Sequence, residues 1–294
     1  MNLQHPVSGI KQNVALANHT TFKIGGPAKY FYQVKNFNEI VELVKIAKKA
    51  KMPYFILGGG SNILVSDKGF NGLVIKITSY ELRITDCSII VDAGILLNKL
   101  VDETVKAGLT GLEWATGIPG TVGGAVRGNA GAFNRSIADN IKSVKALKIP
   151  ELRITDYGLQ ELKFGYKDSI FKHNKDIILS VEIKLRKGNK DKSKQIIKEH
   201  LAYRDKHQPL QFPSAGCIFK NPEGKHAGYL IEQCGLRGVK VGGAMISEKH
   251  GNFIINTGGA KARDVKKLIN LCKEKVRKKF KLELEEEIEY LGRL

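Results

Sequence analysis

Apolar residues recur at helical spacing in NFNEIVELVKIAKKAKM (36–52), and Asn38 is the expected cap. YFILGGGSNILV (54–65) reads as a strand, a glycine turn and a second element, and GLVIKI (72–77) as a strand. ELRITDCSIIVDAG (81–94) has the pattern of a hairpin. An amphipathic helix follows from about Leu96 to Ala107, with Gly108 as its C-cap. The hexapeptide ELRITD recurs at 151–156, again at a predicted strand and turn; one short match does not make a repeat. DIILSVEIKLRKGN (176–189) alternates like a half-buried strand, and a helix is expected from about Lys192 to Arg204. HQPLQFPSAG (207–216), with two prolines, reads as a linker. Beyond it the pattern predicts a helix over Ala227–Cys234 stopped by Gly235, and short strands over Gly243–Ile246 and Asn252–Asn256. A long helix over Ala262–Phe280 and a last strand over Leu282–Leu291 complete it. Strands and helices are interspersed without a regular beat, which favours an α+β fold over a doubly wound sheet.

A chain of 294 residues exceeds a typical single core, so two or three domains are expected. No apolar run reaches membrane length, and MNLQHPVSGIKQ lacks the apolar stretch of a signal peptide, so a cytoplasmic protein is expected. The four cysteines are scattered and form no CxxC pair, which gives no reason to expect a zinc or dithiol site. The formal net charge of +19 makes polyanions, nucleic acid included, possible partners. The lysines are nevertheless spread along the chain. The one dense stretch, KEKVRKKFK (273–281), reads as the polar face of a helix with cations at its C-terminus. Aromatic content of 7% and the absence of a nucleic-acid motif weigh against a basic binding module.

Two segments concentrate glycine: GGGSNILVSDKGFNG (58–72) and GIPGTVGGAVRGNAGAF (117–133). Small residues let a backbone approach a bulky group, and consecutive N–H groups in such turns form anion nests. One GGG alone is most simply a tight turn; two such segments beside apolar elements favour a phosphate cradle. Neither fits the dinucleotide fingerprint nor the P-loop, so a pyrophosphate held in another way is implied.

The ordered set TTFKIGGPA (20–28), GGGSNILVSDKGF (58–70), GIPGTVGGAV (117–126), FGYKDSIF (164–171), AGCIFKNP (215–222), GLRGVKVGGAMISEKHGNFIIN (235–256) and LEEEIEYLG (284–292) resembles the UDP-N-acetylenolpyruvoylglucosamine reductase family. The resemblance spans nearly the whole chain. The short stretch between Leu185 and Ser214 points to the shorter type, without the inserted tyrosine loop. It implies a two-subdomain FAD-binding fold of the vanillyl-alcohol-oxidase type, then a smaller α+β substrate-binding domain. The expected divisions are 1–78, 79–206 and 207–294. It further implies non-covalent FAD, NADPH as hydride donor, a UDP-sugar substrate, no metal, no membrane or nucleic-acid partner, and a monomer.

Carried over by motif, Gly58, Gly59, Gly60, Ser61 and Asn62 lie on the flavin pyrophosphate. Gly117, Ile118, Pro119, Gly120, Thr121 and Gly123 line the flavin, with Asn129 nearby. Cys217 takes the proton-donor position, usually serine and sometimes cysteine in the family. A free thiol titrates near ~8.5, so it is protonated and able to act as an acid at neutral pH. An arbitrary cysteine is more often a small buried hydrophobe, a prior that the surrounding box reverses. Glu287 matches the second catalytic position, although Glu285, Glu286 and Glu289 share its acidic run and leave the register open by one residue.

Lys167 departs from the family pattern, in which arginine follows the tyrosine and pairs with the substrate carboxylate. Lysine keeps the charge and loses the bidentate fork. Tyr166 and Asn221 match substrate-contact positions, His250 aligns with another, and Lys220 offers a charge that could meet a diphosphate, while Arg204, Arg237 and the lysines supply an attractive field. Taken singly, a lysine beside a loop is most simply solvated, and a histidine is a surface or core residue. Another FAD oxidoreductase on the same fold is the competing enzyme reading. The AGCIFKNP and LEEEIE stretches argue against it.

Overall fold

The computed structural model describes residues 9–78 and 81–294. Two compact units emerge, and the chain passes between them several times. Phe31–Gly59 and Gly72–Ala202 belong to the first, and Gln12–Tyr30, Gly60–Asn71 and Tyr203–Leu294 to the second. The expected division at 78/79 falls against residues 79–80, which lie outside the described residues, as do residues 1–8.

In the first unit, helix α1 (Phe37–Lys49) buries Ile40, Leu43, Val44 and Ala47 along one stripe. Its cap is Asn36, whose side chain accepts from the Glu39 N–H, not Asn38 as the sequence suggested; Glu39 in turn accepts from the Lys35 N–H. Strand Phe70–Ile77 runs parallel to Tyr54–Leu57, with Leu57 opposite Lys76. This brings the chain to Gly58 at the end of a half-buried strand whose last residue, Leu57, is buried.

The larger sheet has five strands in the order Arg153–Gly158, Ile141–Lys148, Ile177–Lys184, Ser88–Asp92, Leu82–Thr85, and the paired neighbours are antiparallel. The two ELRITD copies thus feed its opposite edges. Ile177–Lys184 lies at the centre, and its residues Ile177 to Val181 are all buried, so both faces are covered rather than one. A core of Ile89, Leu100, Trp114, Val126, Val144, Phe171 and Val181, among others, is closed by α2 (Leu97–Lys106) and α3 (Val122–Arg127). Gly108, at φ 74, ends α2 in the left-handed conformation predicted for it. Short α4 (Ile170–His173) follows, and α5 (Lys190–His207) runs longer than expected at both ends.

In the second unit, strands Ser214–Cys217, Phe253–Asn256, Ala244–Ile246 and Lys240–Val241 form a sheet in that order. Helices α6 (Ala227–Gln233) and α7 (Ala262–Phe280) pack on a core that includes Ile218, Phe219, Leu230, Ile254, Leu268 and Cys272. The predicted last strand is broken. Only Glu289–Leu291 is a strand, paired in parallel with Ile63–Val65, while Glu286 makes a single bridge to Phe219. Among the described residues no helix is long and apolar enough to cross a membrane, and no cluster of His, Cys, Asp and Glu is arranged to hold a metal.

Candidate active site

In the first unit the two glycine segments lie against each other. A Cβ on Gly58 would stand 2.6 Å from Thr121 Oγ1, and one on Gly59 would stand 2.7 Å from Gly120 Cα. A Cβ on Gly123 would meet Ala93 Cβ at 2.8 Å. The contact at Gly59 is with backbone, which cannot step aside cheaply, so glycine is dictated by packing as well as by turn geometry. Leu97 N–H bonds to Gly120 C=O at 3.0 Å, and Val122 N–H to Ile95 C=O at 2.8 Å, so the loop is clamped from both sides. Thr121 caps α3 with its side chain on Gly124 N–H. Asn98, not singled out from the sequence, accepts from Gly117 N–H at 2.8 Å and fixes the start of the segment.

The remaining expected group of the first unit is the FGYKDSIF stretch. Tyr166 is 60% exposed. Lys167 has φ 56, in the left-handed region that favours glycine. Asn129, at φ 40, donates from Nδ2 to Gly165 C=O at 2.7 Å.

In the second unit, Gly60, at φ 65, lies so close to the His19 carbonyl that a Cβ would stand 2.1 Å from that oxygen. Thr21, another residue the sequence did not flag, receives support from both sides. Its N–H donates to Gly60 C=O at 3.1 Å and its hydroxyl to Ser214 C=O at 2.7 Å. Among the described residues, no hydrogen bond is donated by the N–H groups of Gly60, Ser61 and Asn62; Gly60 is buried, and Ser61 and Asn62 are half-buried. Short side chains and consecutive backbone donors suit a pyrophosphate, so these residues fit the diphosphate of FAD.

Cys217 ends the strand Ser214–Cys217 after a bulge: Ser214 pairs with Ile255, but Cys217 with Phe253. Gly216, at φ 73, makes the turn. Asn252 locks the next residues, accepting from Phe219 N–H at 2.9 Å and donating to Phe219 C=O at 2.8 Å. Cys217 is neither sealed in the core nor fully exposed. Arg204 is 6% exposed; burial lowers its pKa, and its electrostatic contact with Cys217 opposes that effect. A guanidinium keeps its charge under such burial, so Cys217 has a permanent cation in its surroundings. From the sequence Arg204 has only a share in the general field, because helical periodicity does not distinguish it from its exposed neighbours.

The acidic run at 285–287 alternates. Glu286 points toward α7, where Lys266 and Lys273 lie at 3.3 and 2.9 Å and the Tyr290 hydroxyl donates to it. Burial raises its pKa, but those hydrogen bonds and charges prevail and hold it below the usual carboxylate range. Glu287 lies one residue on. Its N–H donates to Ile218 C=O at 2.8 Å and its C=O accepts from Asn62 Nδ2 at 3.0 Å, which fixes its backbone beside the Cys217 segment. Lys220 meets Glu285 at 2.5 Å, and Asn221 Oδ1 accepts from Ala227 N–H at 3.0 Å, at the start of α6. His250 is half-buried; its Nδ1 accepts from Asn252 N–H at 3.2 Å, which puts the ring proton on Nε2. Burial first, and then the Arg237 charge, lower its pKa.

Residues 208–291 match the family model for the C-terminal domain of UDP-N-acetylenolpyruvoylglucosamine reductase, and residues 28–151 match an FAD binding domain. The UDP-N-acetylenolpyruvoylglucosamine reductase of Carboxydothermus hydrogenoformans is 43% identical over 290 residues, covering 97% of this chain and 95% of that protein. The chain belongs to the UDP-N-acetylenolpyruvoylglucosamine reductase family. The Alkaliphilus oremlandii member is 42% identical over 279 residues, covering 94% of this chain and 91% of its own. Among solved structures, the family member from Thermus caldophilus superposes with a TM-score of 0.83 at 38% identity, over 97% of this chain and 100% of that one. The α+β architecture and the FAD-binding domain expected from the sequence are those of the family.

Proposed function

We propose that this protein is the FAD-containing, NADPH-dependent reductase that converts UDP-N-acetylenolpyruvoylglucosamine to UDP-N-acetylmuramate for peptidoglycan synthesis. The observation that carries the reading is the match to the family's own C-terminal domain, joined to an FAD-binding domain in a chain that pairs with its relatives almost end to end. It brings with it a cytoplasmic monomer that acts on a UDP-sugar and binds neither nucleic acid nor membrane. We assign 1–78 and 79–206 to two FAD-binding subdomains and 207–294 to substrate binding.

The reaction adds hydride to the terminal carbon of an enolpyruvyl ether and a proton to its neighbour. Bound FAD, reduced by NADPH, supplies the hydride, and the protein supplies position and electrostatics. Gly58, Gly59, Gly60, Ser61 and Asn62 hold the flavin pyrophosphate through their backbone donors. Gly117, Ile118, Pro119, Gly120, Thr121 and Gly123 line the flavin. Negative charge develops on the carbon next to the carboxylate, and the Lys167 ammonium stabilises it. Cys217 Sγ–H gives the proton to that carbon, and Arg204 steadies the thiolate left behind. Glu287, anchored by Ile218 and Asn62, is the second catalytic group, and Tyr166, Lys220, Asn221 and His250 contact the substrate.

The test is NADPH consumption in the presence of the enolpyruvyl UDP-sugar. Wild type consumes NADPH in proportion to that substrate. Cys217→Ala leaves flavin reduction by NADPH intact and lowers turnover by about 10²-fold or more, the usual worth of a positioned acid. Cys217→Ser recovers part of the loss. Undiminished turnover in Cys217→Ala would remove Cys217 from the mechanism. Bleaching by NADPH with indifference to the UDP-sugar would mark a different flavin enzyme.

A further inference from the structure

We propose that Asn129 is a positioning residue, which ties the end of the flavin-loop segment to the turn carrying Lys167. The inference rests on the activity proposed above and concerns how this chain aims its substituted cation. Resemblance put Asn129 near the flavin. Its side-chain amide makes contacts within the protein: Nδ2 donates to Gly165 C=O at 2.7 Å, and Oδ1 accepts from Ala138 N–H at 3.4 Å.

The receiving turn needs such a tie. Gly165 and Asp168 close it with reciprocal bonds of 3.1 and 3.2 Å, leaving Tyr166 and Lys167 at its tip. Lys167 is in the left-handed region at φ 56, where a residue with a Cβ pays roughly 1–2 kcal/mol relative to glycine. Such a conformation persists only where its surroundings over-determine it. Here they do so on both sides of Lys167. Asn129 holds Gly165, and Lys172 Nζ donates to the Lys167 carbonyl at 2.7 Å. His173 pairs with Asp168 at 2.8 Å. Two more bonds join the same segments: Ser169 Oγ donates to Arg127 C=O at 2.8 Å, and the Arg127 guanidinium donates to Phe171 C=O. Residues 127–129, at the C-terminal end of α3 within the second glycine segment, are therefore stitched to 165–171. Of these ties, the one from Asn129 lies two residues from Lys167. A lysine has no planar fork to hold a carboxylate in register, so its aim depends on the backbone that carries it.

The experiment uses the FAD-loaded full chain. Asn129→Asp keeps shape and the acceptor for Ala138 but has no donor for Gly165; Asn129→Ser is the uncharged companion. Two readouts are taken. In hydrogen exchange, both variants should accelerate the amides of Gly165 and Asp168 by about 10-fold, the opening of one hydrogen-bonded unit, while 117–123 stays as in wild type. In rapid mixing, the concentration of enolpyruvyl UDP-sugar that half-saturates reoxidation of the reduced enzyme should rise about 10–100-fold, the scale of a small misplacement, with flavin reduction by NADPH within about twofold of wild type. Unchanged exchange at Gly165 and Asp168 overturns the proposal. So does flavin loss, or a fall in reduction rate that matches the fall in reoxidation, because Asn129 would then belong to the flavin site. Failure of the wild-type reduced enzyme to react with the UDP-sugar would strike the functional reading instead, and the exchange data would still decide whether Asn129 holds the turn.

Discussion

At Gly59 a single methyl group decides whether the two glycine segments can meet. Its Cβ would fall 2.7 Å from Gly120 Cα, against backbone held by Leu97 and Val122. Gly59→Ala should cost about 1–3 kcal/mol of stability, the usual price of overpacking, and yield protein that loses FAD on gel filtration. Gly124→Ala, whose Cβ meets only Thr121 Oγ1 at 3.6 Å, should keep its flavin, as read from the flavin-to-protein absorbance ratio. His250 sets a second expectation. Burial holds its folded pKa below the ordinary histidine value of 6.5, so the unfolded chain binds the proton more readily. Its contribution is therefore fully present above pH 6.5 and is lost as pH falls through the folded value. Urea midpoints should decline on acidification below that point, and His250→Gln should flatten the decline; equal slopes would contradict it. The glycine segments were legible because a run of small residues after an apolar strand has few other physical uses. The partners Asn98, Thr21 and Arg204 were not, since each acts on residues outside its own element, and no local pattern marks a polar side chain that will find such a partner.

Helix α7 shows the same division between local and distant signals. Its span, Ala262–Phe280, is written in its apolar periodicity, which places Val265, Leu268, Ile269, Cys272 and Val276 in the core. Its start depends on Asp67, whose carboxylate accepts from Ala262 and Arg263 N–H groups at 2.8 and 3.3 Å. Asp67→Ala should lower stability by about 0.5–2 kcal/mol in chemical denaturation, the worth of an N-terminal cap. The predicted last strand failed for a related reason. Alternation through 282–291 is real, but Glu286 satisfies itself on α7 lysines and the chain pairs continuously only from Glu289. The alternation in 176–189 misled in part: strand position in the sheet buries both faces of Ile177–Val181, while Glu182 and Lys184 keep the alternation. The short ELRITD copies are edge strands, where charge on the outer positions is tolerated.

For the molecule as a whole, the family motifs were legible in order along the chain, and with them the FAD-binding and C-terminal domains. The interleaving of the two compact units was not, because Gln12–Tyr30 and Gly60–Asn71 join the C-terminal unit through contacts between residues some two hundred positions apart. Glu289–Leu291 on Ile63–Val65 is one such contact. FAD binds only the folded chain, so saturating FAD should raise the thermal midpoint, by about 2.7 kcal/mol of stability at a hundredfold excess over Kd. The most direct test of the central claim is a single mixing experiment. Enzyme reduced by one equivalent of NADPH under anaerobic conditions is mixed with UDP-N-acetylenolpyruvoylglucosamine, and the oxidised-flavin absorbance is followed. The account predicts that the absorbance returns in full, with one UDP-N-acetylmuramate formed per flavin. A flavin that stays reduced in the presence of that substrate would contradict it.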